Sequence, residues 1–402
     1  MKFLHTSDWH IGKTLKGRSR LDEQEAVLDE IVVLAAEHEV DAVLIAGDLY
    51  DAAMPSADAQ RVLMKTLLAL AATGTHVVAM AGNHDSAGGI DAYRALAGHA
   101  GITLVGAPRA ASNGGVVTIT ARSTGEALNV AVLPFLSQRW AIRASEMLTQ
   151  TPAESAGNYD QQIRELITHL KTGFTPGAVN VVMAHLTVSG GLTGGGERAA
   201  QTIFEYWVPA AAFGTDPHYV ALGHLHRRQS LPAGCPVNYS GSPICVDFGE
   251  EDNHPVVVLV EAAPTTPART TDLPLEAGRR LRTVRGTVAE LAERVAEFGD
   301  AHLRVYLTEP TRAGIRDDVL EVLPNALEIR IDPQFATGAT SRAASRANRT
   351  PGELFAEYCA ERGVNDARIQ ALFGQLHDEL TTDAPPDAAT AAPAPAPSGA
   401  GA

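Results

Sequence analysis

The stretch HVVAMAGNHD, residues 76–85, sets a run of strand-forming type, His76 to Ala81, directly against a glycine, an amide, an imidazole and a carboxylate. Gly, Asn and Asp commonly end a strand, because Asn and Asp bond their own backbone there, so a turn accounts for this stretch taken alone. The same arrangement recurs in four other places. Phe3-Leu4-His5-Thr6-Ser7 leads into Asp8-Trp9-His10, and Ala42-Val43-Leu44-Ile45-Ala46 leads into Gly47-Asp48, with Asp51 three positions on. Val179 to Ala184 leads into His185, and Tyr219 to Gly223 into His224-Leu225-His226. Turn chemistry gives no reason for a histidine to follow four of the five runs.

Between the runs lie helices. Leu21 to Glu39 carries Val27, Ile31, Leu34 and Ala35 at helical spacing, and Ala57 to Ala72 repeats the pattern with Val62, Leu63, Leu67 and Leu70. Strand, helix, strand, helix, strand predicts a parallel α/β layout, whose functional groups gather at the carboxyl ends of the strands. All five polar clusters fall there, so they are expected on one rim in space. From about Leu128 the strands are less regular, and more antiparallel pairing is expected.

The organisation read from composition is a first domain over residues 1–262 and a Pro- and Thr-rich linker over 263–273. A small α/β domain follows over 274–335, with a capping box at Thr287-Val288-Ala289-Glu290. Residues 336–349 read as a flexible linker, 350–381 as a helical segment and 382–402 as a disordered Ala/Pro-rich tail. In the helical segment Thr350-Pro351-Gly352-Glu353 is a second capping box, and Leu354, Phe355, Tyr358, Ile369, Leu372, Phe373 and Leu376 form apolar stripes. A pair this short needs another surface, either its own chain or a partner.

The chain has 402 residues, 32 Lys and Arg against 47 Asp and Glu, and a net charge of −15. That balance argues against a free-standing nonspecific nucleic-acid binder, since phosphate neutralisation needs Lys and Arg. Phosphate chemistry would have to borrow positive charge. No apolar stretch reaches the roughly 18 residues of a membrane span, and Met1 enters a strand without a signal-peptide pattern, so a cytoplasmic protein is expected. Cys235, Cys245 and Cys359 form no CxxC pair and read as reduced thiols.

Carboxylates, an amide oxygen and imidazoles together suit Mn, Fe or Zn better than Ca or Mg. The donors exceed the needs of one ion, and two divalent ions roughly 3.5 to 4 Å apart would share a carboxylate and activate water for phosphate-ester hydrolysis. Other residues keep simpler readings. His5 is expected to be a hydrogen-bonded core histidine, Trp9 to be packing, and Asp85 to orient a neighbour or cap the turn. Asp51 either shapes the loop or caps it. The loop GGLTGGGER, residues 190–198, lacks the ending of a P-loop and is expected to be mobile beside the metal centre.

Asp8-x-His10, Gly47-Asp48, Gly82-Asn83-His84-Asp85, His185 and Gly223-His224-x-His226, in this order, resemble the motif set of the calcineurin-like metallophosphoesterases. The resemblance implies a β-sandwich flanked by helices. It implies that Asp8, His10, Asp48 and His226 hold one ion and Asp48, Asn83, His185 and His224 the other, and that His84 is a general acid. HTSDWHIGKTL, LIAGDLYDAAMPSADA and RTVRGTVAEL are further similar to a family of bacterial nuclease subunits. That implies a small α/β capping domain, two Mn2+ ions, double-strand exonuclease and single-strand or hairpin endonuclease activity, and a homodimer within a heterotetramer with an SbcC-type coiled-coil ATPase. The competing readings are a phosphoesterase acting on a small-molecule or protein phosphoester, and a noncatalytic scaffold. The scaffold is disfavoured because every ligand position is filled.

Overall fold

The computed structural model describes residues 1–137, 141, 143–144, 159–197, 207–335, 351–361, 364 and 366–381. Strands β1 (Lys2–Thr6), β2 (Ala42–Ile45), β3 (His76–Met80) and β4 (Ile102–Val105) are mutually parallel. Helices α1 (Leu21–Glu37) and α2 (Ala57–Ala72) form the first two crossovers. Ser56 caps α2, its hydroxyl accepting the Ala59 N–H at 3.2 Å. A second sheet follows from β5 (Val116–Thr120), β6 (Ala127–Leu133), β7 (Val179–His185), β8 (Tyr219–Gly223), β9 (Gln229–Leu231) and β10 (Val237–Tyr239), with helix α3 (Tyr159–Lys171) between β6 and β7. The chain then returns to the first sheet as the hairpin β11 (Val256–Ala263) and β12 (Thr266–Pro274), giving the order β12-β11-β1-β2-β3-β4.

Alternation along each strand builds the layers. Phe3, Leu44, Val78 and Met80 meet Val130, Val181, Met183 and Ala221 of the other sheet, while Leu4, Val43, Ile45 and Val77 turn outward onto Val27, Ile31, Leu63 and Leu67 of α1 and α2. Ala131, Val182 and Leu222 likewise meet Ile163, Leu166 and Leu170 of α3. Helix, sheet, sheet, helix is the result: a sandwich flanked by helices, with both faces of the central parallel strands covered, as buried parallel strands require.

One expectation fails here, and another holds at the sheet edges. Residues 263–273 are not a linker, because 266–274 is strand β12, paired antiparallel with β11 from Val256↔Pro274 to Ala263↔Thr266. Thr favours extended backbone, and a sheet edge tolerates Pro because no ladder donor is needed there. The composition of an edge strand therefore imitates that of a loop. The expected antiparallel pairing is found at both edges of the second sheet, whose order is β9-β10-β8-β7-β6-β5, and where β11 pairs with β1 and β12, while β10, β8, β7 and β6 are mutually parallel. Strand pattern carries no direction, and the helix α3 makes the β6-to-β7 connection a parallel crossover.

Beyond β12, strands β13 (Leu281–Gly286), β14 (His302–Leu307) and β15 (Ala326–Ile331) form a parallel three-stranded sheet with helices α4 (Val288–Glu293) and α5 (Ile315–Val322). Thr287 and Glu290 make the expected capping box on α4. This lobe packs on the first: Leu281 joins Leu15, Cys245 and Phe248 in one apolar cluster. His302 Nε2 lies 2.7 Å from Glu23 of α1, whose carboxylate also accepts from Arg20 Nη2 at 3.0 Å. Helices α6 (Pro351–Glu361) and α7 (Ala367–Thr381) stack Phe355 on Phe373, with ring centroids 4.0 Å apart. They leave Tyr358, Leu372 and Leu376 about half exposed. Pro351 opens α6 as expected, while Thr350, the predicted linker 336–349 and the predicted tail 382–402 lie outside the described residues. All three cysteines are free. Among the described residues no helix is long and apolar enough to cross a membrane.

Burial pushes the Glu23 carboxyl up, but hydrogen bonds from His302 and Arg20 outweigh it and hold the pKa at about 2, against an ordinary 4.5. A depressed carboxyl stabilises the fold above its unfolded value and loses that contribution as pH falls toward the folded one. Glu23→Gln is therefore expected to cost about 1 kcal/mol at pH 6, after allowance for its partial exposure. The difference from wild type in urea midpoint should shrink steadily below about pH 4.5. A difference independent of pH would contradict this account of the lobe contact.

Candidate metal centre

The parallel pairing of β1 with β2 does not stop at the strand ends. Asp8 N–H donates to Gly47 O, His10 N–H to Asp48 O and Ile11 N–H to Leu49 O, each at 3.0 Å. The two loops run on as one ribbon and bring Asp8, His10 and Asp48 to one rim. The backbone there is strained: φ is 54° at Asp8, 45° at His10, 52° at Asp48 and 101° at His224. These four are among only six non-glycine residues in the left-handed region among the described residues. Such a conformation costs on the order of 1–3 kcal/mol per residue and persists where the surroundings enforce it, most often at functional sites.

GNHD closes onto the ribbon. Asp85 accepts the N–H groups of Gly82 at 2.8 Å, Leu49 at 3.0 Å and Tyr50 at 2.8 Å, so it stitches the loop after β3 to the loop after β2. It orients neighbours, one of the two roles left open for it. Gly82 is needed because a Cβ there would collide with the Asp48 carboxylate and backbone nitrogen. His84 donates its backbone N–H to Asp48 Oδ1 at 2.8 Å and its Nδ1–H to Asp51 O at 2.7 Å, so its ring is anchored through Nδ1. The Asp51 carboxylate pairs with Lys13 at 3.0 Å and lies 3.6 Å from both His10 Nδ1 and His84 Nδ1.

From the second sheet come the other imidazoles. His185, at the end of β7, donates Nδ1–H to Ala46 O at 2.8 Å and turns Nε2 toward Asn83 Oδ1 at 2.8 Å and Asp48 Oδ2 at 3.5 Å. His224 places Nδ1 2.8 Å from the same Asn83 oxygen and donates its backbone N–H to Asp8 Oδ1 at 3.0 Å. His226 Nε2 faces His10 Nε2 at 3.0 Å. Asp8 with His10 and His226, His10 with Asp48 and His84, and Asp8 with Asp48 and His185 each offer ligand atoms within 4.8 Å of one another. Every residue predicted for the site converges on this rim and is buried, Asn83 (8% exposed) and His84 (6%) being the most open of the eight.

The donors fit divalent ions. With Nδ1 of His185 committed to a carbonyl, its Nε2 lone pair confronts an amide oxygen, and the Nε2 atoms of His10 and His226 confront each other. Each arrangement is repulsive unless a cation or proton lies between the atoms. His10 Nδ1 and His224 Nε2 are buried without a hydrogen-bond partner among the described residues. The electrostatics agree. Burial alone would raise Asp48, but His185 and His84 outweigh it and hold the carboxyl well below its ordinary range. Burial alone would lower His185 and His226, yet Asp48 raises the first and Glu250 the second, each to about 9. At His224 burial and nearby His185 outweigh the pull of Asp48 and keep the imidazole well below normal. The cluster thus draws positive charge in between its carboxylates.

Comparison with known proteins fits this geometry. Residues 1–228 match the calcineurin-like phosphoesterase family model. The chain is 37% identical over 285 residues to the D component of the SbcCD nuclease of Bacillus subtilis, covering 70% of this chain and 71% of the relative. The chain belongs to the calcineurin-like phosphoesterases. It is also similar to the D components of the SbcCD nucleases of Rhodobacter capsulatus, at 33% identity covering 68% and 69% of the two chains, and of Escherichia coli, at 30% identity covering 75% and 74%.

The phosphoesterase site contains residues that the sequence did not flag. Glu250 accepts His226 Nδ1–H at 2.6 Å. Glu197, from the glycine-rich loop, accepts the N–H groups of Gly194 at 2.6 Å and His226 at 3.0 Å, so that loop does lie beside the site. Phe135, just past β6, lies against both His185 and His224 with centroids 6.2 Å away. It occupies a strand end like the others, but a search for polar residues passes over it. Glu250 had no signal, since nothing in the spacing links position 250 to 226. His5 and Trp9 are structural, as expected. His5 bonds Tyr219 Oη and Leu222 O, and burial above all pushes its imidazole down to about 3. Trp9 is buried and donates to Thr6 Oγ1 at 3.0 Å.

The crowding at Gly82 yields a direct test. Gly82→Ala must displace Asp48, an overpacking that costs about 1–3 kcal/mol. It is expected to abolish metal-dependent phosphodiester hydrolysis while leaving the far-UV circular dichroism unchanged. Wild-type rates in this variant would mean that the close approach of the two loops is not required.

Proposed function

We propose that the chain is the nuclease subunit of an SbcCD-type complex, hydrolysing DNA phosphodiesters as a double-strand exonuclease and a single-strand or hairpin endonuclease in repair and recombination. The supporting observation is the place of Asp48: its Oδ2 lies 3.6 Å from His10 Nε2 and 3.5 Å from His185 Nε2, between the two halves of the cluster. In this reading Asp8, His10, Asp48 and His226 hold one divalent ion, and Asp48, Asn83, His185 and His224 hold the other, Mn2+ being the proposed metal. When bound, the ions neutralise phosphate charge and make water nucleophilic near neutral pH.

The protein's own side chains supply the rest. Asp48 and Asp8 set the charge that holds the cations, and His84, at the open side, directs Nε2 toward the substrate with Nδ1 anchored on Asp51. Protonated there, it donates to the leaving oxygen as that bond breaks, the general-acid role suited to imidazole. The capping domain is proposed to span 275–335, after β12. The proposed location is the cytoplasm, where the DNA lies. The proposed partner is an SbcC-type coiled-coil ATPase, received by the exposed Tyr358, Leu372 and Leu376 of α6 and α7, in an assembly built on a homodimer. That partner brings the DNA-clamping basic surface which a chain of net charge −15 does not itself supply.

Two variants separate metal binding from proton transfer. Asp48→Ala is expected to lose both bound Mn2+ and hydrolysis of linear duplex DNA. His84→Gln should keep both ions and lose on the order of 10²–10⁴-fold in rate. Loss of metal from His84→Gln would make it a ligand instead of an acid. Hydrolysis of phosphoproteins or nucleotides in preference to DNA would favour the small-substrate reading. Deletion of residues 350–402 is expected to leave a folded, metal-loaded phosphoesterase without ATP-stimulated digestion. Copurification of that truncated chain with the ATPase at undiminished affinity would contradict the assignment of the helices, and collapse of the phosphoesterase would mean that they dock on their own chain.

A further inference from the structure

Glu250, like Glu197, is a carboxylate at the rim that no strand end supplies, and it is the one bonded to the His226 ring. It closes the short helical turn Phe248–Glu250, is 1% exposed, and its ion-pair partner among the described residues is His226. One oxygen takes the His226 Nδ1–H at 2.6 Å and the other takes the Val246 N–H at 2.7 Å, so the carboxylate is fixed at both ends. With Nδ1 committed, the Nε2 lone pair of His226 must point into the cluster toward His10. The glycine-rich loop closes the far side: a Cβ on Gly196 would collide with the Glu250 carboxylate.

The same turn is gripped by the small lobe. The Thr283 hydroxyl of β13 donates to the Glu251 carboxylate and accepts Arg304 Nε–H at 3.0 Å. Arg304 of β14 lies 3.9 Å from Glu251 and sets its guanidinium 5.1 Å over the Phe248 ring. Lys16 bridges Asp247 at 3.9 Å and Glu328 of β15 at 3.3 Å. The segment 247–251 thus touches the lobe through Phe248 and Glu251, is linked to it from Asp247 by Lys16, and holds the His226 imidazole through Glu250.

We propose that Glu250 is a positioning residue for His226, and that docking of the small lobe on Phe248 and Glu251 sets how tightly the His226 half of the centre holds its ion. The inference rests on the reading of His226 as a metal ligand. A carboxylate behind a ligating imidazole fixes its tautomer and orientation and raises its basicity, and losing one typically costs about 10–100-fold in metal affinity. Here that carboxylate is carried on a turn whose position depends on the lobe, so any displacement of the lobe reaches the metal through His226.

The test is calorimetric titration of Mn2+ into the full-length chain. Wild type is expected to bind two ions. Glu250→Ala should weaken one of them by about 10–100-fold and leave the other unchanged. Glu250→Gln, which keeps an acceptor without the charge, should recover part of the loss, and Arg304→Ala should weaken the same ion by a smaller factor. In a His226→Ala background, Glu250→Ala should have no further effect. Equal weakening of both ions in Glu250→Ala, together with a lower unfolding temperature of the metal-free protein, would make Glu250 a scaffold residue and overturn the proposal. Unchanged affinity in Arg304→Ala would overturn its link to the lobe. Failure of the wild type to bind two ions would overturn the metal reading itself, an outcome distinct from a normal wild type with a normal Glu250→Ala.

Discussion

The continuation of the β1–β2 pairing past the strand ends is the constraint on which the site depends. Three backbone hydrogen bonds of 3.0 Å carry the two loops forward as a ribbon, and the ribbon forces Asp8, His10 and Asp48 into left-handed backbone conformations. None of these residues favours that conformation enough to hold it alone. The sandwich behind the ribbon supplies the difference, since the strands leading into it are fully buried between the facing sheet and helices α1 and α2. Two carboxylates are thereby fixed close together in a dry place, an arrangement that costs free energy until positive charge lies between them.

That electrostatic demand explains how an acidic chain handles phosphate. The net charge of −15 repels a polyanion in general, but the rim concentrates imidazoles and carboxylates whose mutual fields favour bound cations. Attraction for substrate phosphate is then local and metal-borne. Because the small lobe holds the turn that carries Glu250, the centre is also mechanically tied to a part of the chain that contributes no ligand itself.

Much of this was legible in the sequence because strand-end chemistry repeats. Five apolar runs ending in Asp, Asn or His predicted one rim, and all eight predicted residues meet there within a few ångströms. The helices α1 and α2 were legible through their periodicity. What the sequence concealed was partnership across long separations and strand direction. Glu250 and Glu197 act on His226 from positions with no periodic relation to it. β12 wears the Thr and Pro of a linker because an exposed edge permits both, and the parallel centre of the second sheet was hidden because alternation is the same in either direction. Phe135 was passed over because aromatic packing against His185 and His224 leaves no polar signature.

We propose this rim as a two-ion centre with Asp48 shared between the ions. Anomalous diffraction from crystals of the protein soaked in Mn2+ tests it most directly. Two anomalous peaks are expected to flank the Asp48 carboxylate, one beside His10 and His226 and the other beside Asn83, His185 and His224. A single peak, or density in which Asp48 contacts only one ion, would contradict it.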